Sequence, residues 1–309
     1  ILLWLCLGWG LSYHKGQHTS AIEWIGYSIT IQDGYVTVAI KEEFMTALLS
    51  LLQETLSTNL ITIEALRSLA GKLNHVSTLI YAWRPFMDQL WAALARRRPD
   101  KAPAGKIWVK SISSSLVWFV TFLMLEPGML VRRWRLDHYK SPGIKASVHL
   151  DASPFGLGAV LIIQGAVAAW FATPLSHDDL AIHSHSWGDS AGQQTWEALV
   201  LLVAMRLWCP QWEELRTSIT IKSDNMAALS LAAKLKSKVS ALISKELALV
   251  MARASFQPRF IQHVPGTMNF LADTLSRIWD PAGGYSVPES LPRHLRVEVP
   301  RRDRSYYAT

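Results

Sequence analysis

Two stretches of this chain close an alternating apolar run on an aspartate that sits in the polar phase, and that pairing narrows the folds open to it. In "KASVHLDAS" the period-two pattern puts Ala146, Val148 and Leu150 on one face and Ser147, His149 and Asp151 on the other. In "TSITIKSDN" Ile219 and Ile221 share a face, with Thr220, Lys222 and Asp224 opposite. Strands that present a carboxylate at the C-terminal end suit an open α/β sheet, whose carboxyl edge is where sites are built.

The surrounding pattern agrees. Strands are expected at about 145–152, 156–163 and 165–171, then a long loop, a helix at 191–208, a strand at 217–223, helices at 226–233 and 238–254, a strand at 257–263 and a helix at 269–279. The helix "AGQQTWEALVLLVAMRLW" is expected to begin after Ser190 with Gln193 as its capping-box partner. It sets Glu197 in line with Val200, Leu201 and Ala204, and a carboxylate on an apolar stripe needs a partner. The last helix carries Asp273 between Leu271 and Leu275.

Taken singly, each carboxylate has a plain reading. Asp151 caps a turn, Asp224 caps the helix after it, Glu197 pairs with an arginine, and Asp273 pairs with Arg277 at i+4. Taken together, three aspartates and a glutamate from two strand ends and two helices suit hard, oxygen-seeking Mg²⁺. Two such ions roughly 4 Å apart would clamp the attacking and leaving oxygens of a phosphoryl displacement. The Gly-studded turn after Asp151 then lets the next strand pass close by.

Upstream, residues 21–40 read as β-rich around the turn "QDGY", and 41–97 as helical with Thr62 as an N-cap. "RRRPDKAPAGK" and "DHYKSPGIK" read as connectors, with another helical stretch between them ending near Leu125. The expected domains are 1–40, a hairpin; 41–136, a smaller, mostly helical region; 145–280, a mixed α/β domain; and 281–309, a Pro/Arg/Gly-rich tail with little regular structure.

Composition bounds the partners. A net charge of +7 and arginine clusters at Arg96–Arg98, Arg132–Arg135 and Arg301–Arg304 favour an anionic partner, or simply a solvated basic surface. Two cysteines, Cys6 and Cys209, are too few for a disulfide scaffold and fit a reducing, intracellular setting. The apolar runs "ILLWLCLGWGL" and "LVWFVTFLML" are too short to span a bilayer, so no membrane partner is expected. The first lacks a basic leader and reads as the interior of a larger polypeptide.

The segments "LDASPFGLGAVL", "TWEALVLL", "IKSDNMAAL" and "IQHVPGTMNFLADTLSR" resemble, in order and spacing, the motifs of a type 1 ribonuclease H domain, as found at the C-terminal end of retrotransposon reverse transcriptases. The closing N-x-x-A-D-x-L-S-R element is the most specific. "IEWIGYSITI" resembles the primer-grip hairpin of the polymerase palm, and "SLAGKLNHVSTLIYAWRPFMDQLWAAL" the thumb and connection region.

That resemblance implies a ribonuclease H-like α/β fold, a mixed five-stranded sheet with flanking helices. It implies two Mg²⁺ ions, with Mn²⁺ as a substitute, on Asp151, Glu197, Asp224 and Asp273, and an assisting role in product release for His263. It implies Trp24, Gly26, Tyr27, Lys72, Ser153, Asn225, Lys234 and Lys236 as nucleic-acid contacts. The implied partners are an RNA·DNA hybrid and the remainder of a reverse transcriptase polyprotein. Proofreading exonucleases would carry a glutamate where Ser153 stands, and integrases would end on glutamate rather than Asp273. No Tyr-x-Asp-Asp motif occurs, so polymerisation by this chain is not expected.

The implied activity is metal-dependent hydrolysis of the RNA strand of a hybrid, with the lysines of "AAKLKSKVSALISK" as a phosphate rail or a solvated face. A non-catalytic nucleic-acid-binding fragment and a structural subunit of a larger polymerase are the competing readings. The loop "TPLSHDDLAIHSHSWGDS" could mimic a second metal site through His177, His183 and His185 with Asp178 and Asp179.

Overall fold

The computed structural model describes residues 19–80, 83–95, 102–125, 130–139, 144–212, 217–235, 241–253 and 260–307. The expectations for "ILLWLCLGWGL", Arg96–Arg98 and Lys236 lie outside them.

Strands β1 (Ala21–Trp24), β2 (Tyr27–Gln32) and β3 (Tyr35–Ile40) form an antiparallel meander. Its two tight turns hold Ile25 and Gly26, then Asp33 and Gly34, all at positive φ, as two-residue hairpin loops matched to strand twist require. Helix α1 (Glu42–Ser57), β4 (Leu60–Thr62), α2 (Ile63–Leu79), α3 (Arg84–Ala95), β5 (Lys106–Trp108) and α4 (Ser113–Leu125) follow. Thr62 caps α2, as its sequence indicates, by accepting from the Ala65 amide.

Arg132–Arg135 is not simply a basic surface cluster. It lies in strand β6 (Val131–Arg135), which closes the meander by pairing with β3. Arg132 is buried, and the Arg133 guanidinium lies 4.6 Å from the centre of the Tyr35 ring.

Beyond residue 143 come β7 (Ile144–Ala152), β8 (Gly156–Ile163), β9 (Ala166–Pro174), α5 (His177–His183), α6 (Gln193–Trp208), β10 (Thr217–Ser223), α7 (Met226–Lys234), α8 (Ala241–Arg253), β11 (Phe260–His263) and α9 (Phe270–Ser276). The sheet is mixed and five-stranded, in the order β11-β10-β7-β8-β9. β10 runs parallel to β7 and β11, while β7, β8 and β9 are antiparallel. This is the sheet with flanking helices that the sequence leads one to expect.

Alternation along the strands sorts the core into two layers. Val148, Leu150, Leu157, Ala159 and Leu161 join a cluster with α6, whose residues from Thr195 to Met205 are all buried. Val160 and Trp170 on the opposite face pack with Leu275 of α9 and Leu291 of the tail. α9 therefore lies on the Asp151 face of the sheet.

Two expectations need correction. The "long loop" after β9 contains α5, with a capping box in which the Ser176 hydroxyl accepts from the Asp179 amide and the Asp179 carboxylate accepts from the Ser176 amide. The capping box assigned to Ser190 and Gln193 is absent. A short 3₁₀ turn, Ser190–Gly192, precedes α6 and is capped by Asp189.

The described tail has 3₁₀ turns and a single parallel bridge from Arg296 to Trp170 of β9 as its regular structure, and it is packed. Trp170 donates its indole N–H to Pro292 O, and Arg302 is buried against Asp179. One contiguous set of buried side chains runs from Leu48 and Phe119 to Val148, Trp208 and Tyr307. Among the described residues no helix is long and apolar enough to cross a membrane.

Candidate active site

Asp151 lies in the last turn-ward residues of β7, Asp224 directly follows β10, and Glu197 sits in the second turn of α6. Ligand atoms of all three lie within 4.8 Å of one another. Asp151 and Glu197 are buried, 3% and 2% exposed, while Asp224 is exposed. The cluster thus has a dry floor and one solvent-facing carboxylate.

Burial opposes ionisation here. It pushes Asp151 up to about 7; the Ser276 hydroxyl counters this, and the neighbouring Asp224 and Asp273 add to it. Glu197 is raised well above the ordinary carboxylate range, by burial first and then by Asp151 and Asp224. Gln193 donates its side-chain N–H both to Ala152 O and, at 3.0 Å, to Glu197 Oε1. It orients the catalytic-candidate glutamate instead of capping the helix.

Glu197 Oε2 is buried and has no hydrogen-bond partner among the described residues. An acceptor so placed, beside two further carboxylates, is costly without a counter-charge. An all-oxygen donor set with a bare buried oxygen fits a hard divalent cation.

Asp273 is not one of the three. It lies near enough to raise Asp151, but its carboxylate accepts from Arg277 Nε at 2.7 Å, the i+4 pairing foreseen as its plain reading. His263, exposed, places Nε2 3.0 Å from the backbone oxygen of Asp224.

The turn after Asp151 has a different reason from the one expected. A Cβ on Gly158 would come within 2.6 Å of Ala272 O and of Leu275 Cβ, and one on Gly156 within 2.5 Å of Trp279. The glycines admit α9, not merely the next strand.

The expected nucleic-acid contacts separate. Trp24 is 61% exposed at the hairpin end and Lys72 is exposed on α2. Tyr27 instead locks the hairpin to α2: its ring stacks on His75 at 4.7 Å and its hydroxyl donates to His75 O. Gly26 passes so close that a Cβ would lie 3.0 Å from His75 Nε2.

Ser153, expected as a nucleic-acid contact, is 1% exposed. Its hydroxyl donates to Ser276 O and accepts from the Phe155 and Gly156 amides, so it organises the turn. Asn225 caps α7 by accepting from the Ala228 amide, the role read for Asp224. Lys234 closes α7, and its side chain lies outside the described residues. Lys245 of the lysine rail is turned inward, 4.8 Å from the Phe86 ring of α3.

The second metal site does not form among the described residues. Asp179 is taken by Arg302, Asp178 by Arg301, His183 lies 3.0 Å from the Tyr307 hydroxyl and His185 3.3 Å from Thr195 Oγ1. The basic run Arg301–Arg304 is accordingly part structural, since Arg302 is 3% exposed.

Sequence reasoning missed Ser276, whose hydroxyl donates to Asp151 Oδ2 at 2.6 Å, and Asn269, which donates to Leu150 O at 2.8 Å. Both stand in the N-x-x-A-D-x-L-S-R element; their partners lie more than a hundred residues earlier, so no local pattern announces them.

No protein-family model and no curated protein matches the chain. Solved structures do. A ribonuclease H1 isolated from compost by a metagenomic approach is 15% identical over 46% of this chain and 99% of its own, with a TM-score of 0.34. The N-terminal ribonuclease H domain of a Mycobacterium tuberculosis protein is 18% identical over 42% and 95%, with a TM-score of 0.28. The foamy viral protease-reverse transcriptase in complex with RNA/DNA hybrid is 16% identical over 89% of this chain and 32% of its own, with a TM-score of 0.27.

Proposed function

We propose that this chain carries the ribonuclease H activity of a retroelement reverse transcriptase, hydrolysing the RNA strand of an RNA·DNA hybrid. The observation that carries the reading is the convergence of Asp151, Glu197 and Asp224 within 4.8 Å around a buried, unpartnered glutamate oxygen. Asp151, Glu197 and Asp224 would hold the cations, Mg²⁺ or Mn²⁺, with Asp273 completing the set once it leaves Arg277. Two divalent ions bound there would supply an activated water and charge stabilisation for the leaving 3′ oxygen.

The chain's own side chains do the rest. Asp151 and Glu197 line a buried inner wall, where electrostatic stabilisation is strongest. Exposed Asp224 faces the side from which a phosphodiester would approach. His263, exposed and with Nε2 3.0 Å from the Asp224 backbone oxygen, would assist departure of the product. Phosphate grip comes from basic side chains such as Lys72, with Trp24 available to stack at the hairpin end, and discrimination of RNA from DNA from contacts to 2′-hydroxyls.

One observation favours the non-catalytic reading: Asp273 is engaged by Arg277 and stands outside the three-carboxylate group. The test is a hybrid labelled on each strand in turn, incubated with Mg²⁺ and either the parent chain or Asp224→Asn. Cutting of the RNA strand by the parent alone supports the nuclease. A hybrid bound but left intact in both Mg²⁺ and Mn²⁺ would establish the non-catalytic alternative.

A further inference from the structure

We propose that Ser276 is a positioning residue for the carboxylate cluster: its hydroxyl holds Asp151 in the orientation that meets Glu197 and Asp224, and so sets the affinity of the cluster for a divalent cation it does not itself touch. The inference rests on the functional reading above and deepens it.

Ser276 is fully buried at the C-terminal end of α9, and its Oγ lies 2.6 Å from Asp151 Oδ2 and 2.9 Å from Asp273 O. A hydroxyl has one proton to give, and a carboxylate is a stronger acceptor than a peptide oxygen, so the Asp151 bond takes it when Asp151 is ionised.

The serine is itself fixed from both sides. Its carbonyl accepts from Ser153 Oγ at 2.7 Å, and a Cβ on Gly158 would lie 2.6 Å from its amide nitrogen. At the other end of α9, Asn269 donates to Leu150 O, the residue before Asp151. The helix is therefore held against β7 at both ends, and Ser276 is the point where that attachment reaches a cluster carboxylate.

These anchors also separate positioning from folding. Every contact fastening Ser276 to the β7–β8 turn uses its main chain, and only the bond to Asp151 and the local one to Asp273 O use the hydroxyl. Removing that oxygen leaves the docking of α9 in place while freeing Asp151 to rotate. Partners that orient a ligand typically change metal affinity by about 10–100-fold when lost.

The experiment titrates Mn²⁺ alone into the full chain, without nucleic acid, for the parent, Ser276→Ala and Ser276→Cys, with thermal melts in chelator alongside. Cysteine fills the space of the serine with a weak donor, so a loss shared by both variants is not a cavity effect. The expected result is melting close to the parent in chelator and Mn²⁺ binding weaker by about 10–100-fold in both variants. Should the alanine variant not fold, the cysteine variant decides. Parent-like Mn²⁺ affinity in a folded variant would overturn the proposal. Failure of the parent to bind Mn²⁺ would instead overturn the cluster reading beneath it, a separate outcome.

Discussion

Asp151 and Glu197 set the behaviour of the site because they combine burial with proximity to like charge. The carboxyl of Asp151, raised from 3.8 to about 7, makes the folded chain bind more protons than the unfolded one between those values. In the absence of a cation, its contribution to stability therefore falls as pH rises through that window. His149 acts in the opposite sense. Burial, aided by Lys222, lowers it from 6.5 to about 4, so its contribution rises with pH over that range. The clean measurement is a difference: parent minus Asp151→Asn stability should decline from pH 4 towards 7, and a flat difference would refute the raised Asp151. A divalent cation competes with those protons, so stabilisation by Mg²⁺ should grow across the same pH range. Glu197→Gln, which replaces a carboxyl already biased towards its neutral form, should leave cation-free stability in denaturant at or above the parent's and abolish the gain from Mg²⁺.

At the scale of elements, α9 is the piece on which the site depends, and the two glycines of β8 are what let it in. Gly158→Ala drives a methyl into Ala272 O and Leu275 Cβ and should cost about 1–3 kcal/mol in equilibrium unfolding, with loss of Mn²⁺ binding as α9 shifts. The strands that carry Asp151 and Asp224 were legible because period-two alternation survives in them up to the carboxylate, and Thr62 announced its helix by a local cap. What was not legible depended on distance or on mixed signals. The Ser276–Asp151 bond joins residues 125 apart. α5 is a seven-residue helix inside a His/Ser-rich run, and β6 is written in arginines, of which Arg132 and Arg133 set their guanidinium groups over the Trp134 and Tyr35 rings. The spacing of Gln193 from Ser190 suggests a cap, but its side chain is taken by a tertiary acceptor, Ala152 O, and by Glu197 Oε1 one turn along the same helix.

Across the whole molecule, the C-terminal segment works as a strap in spite of a composition that suggests little structure. Its Arg302 meets Asp179 with both side chains buried, 3% and 0% exposed, and adds a bond to Pro174 O at the end of β9. Arg206 pairs with Glu246, donates to Tyr306 O and stacks on the Tyr306 ring, tying the strap to α6 and α8. Arg302→Ala strands a buried carboxylate and should lower stability by about 3–5 kcal/mol, read in a urea melt. Arg301→Ala removes a largely exposed arginine from its pairs with Asp178 and Asp303 and should change it by about 1 kcal/mol or less. The strap fastens within the body that bears the carboxylates, while the shared core and the inward-turned Lys245 tie the upstream helices to that body.

The central claim, hydrolysis of the RNA strand at the Asp151–Glu197–Asp224 cluster, is tested most directly by the chemistry of the cut ends. RNA fragments released from a hybrid in Mg²⁺ should carry 3′-hydroxyl and 5′-phosphate termini, and Asp224→Asn should release none. Fragments ending in 2′,3′-cyclic phosphate, or undiminished cutting by Asp224→Asn, would contradict the account, because the attacking group would then be the RNA's own 2′-hydroxyl or the reaction would take place elsewhere.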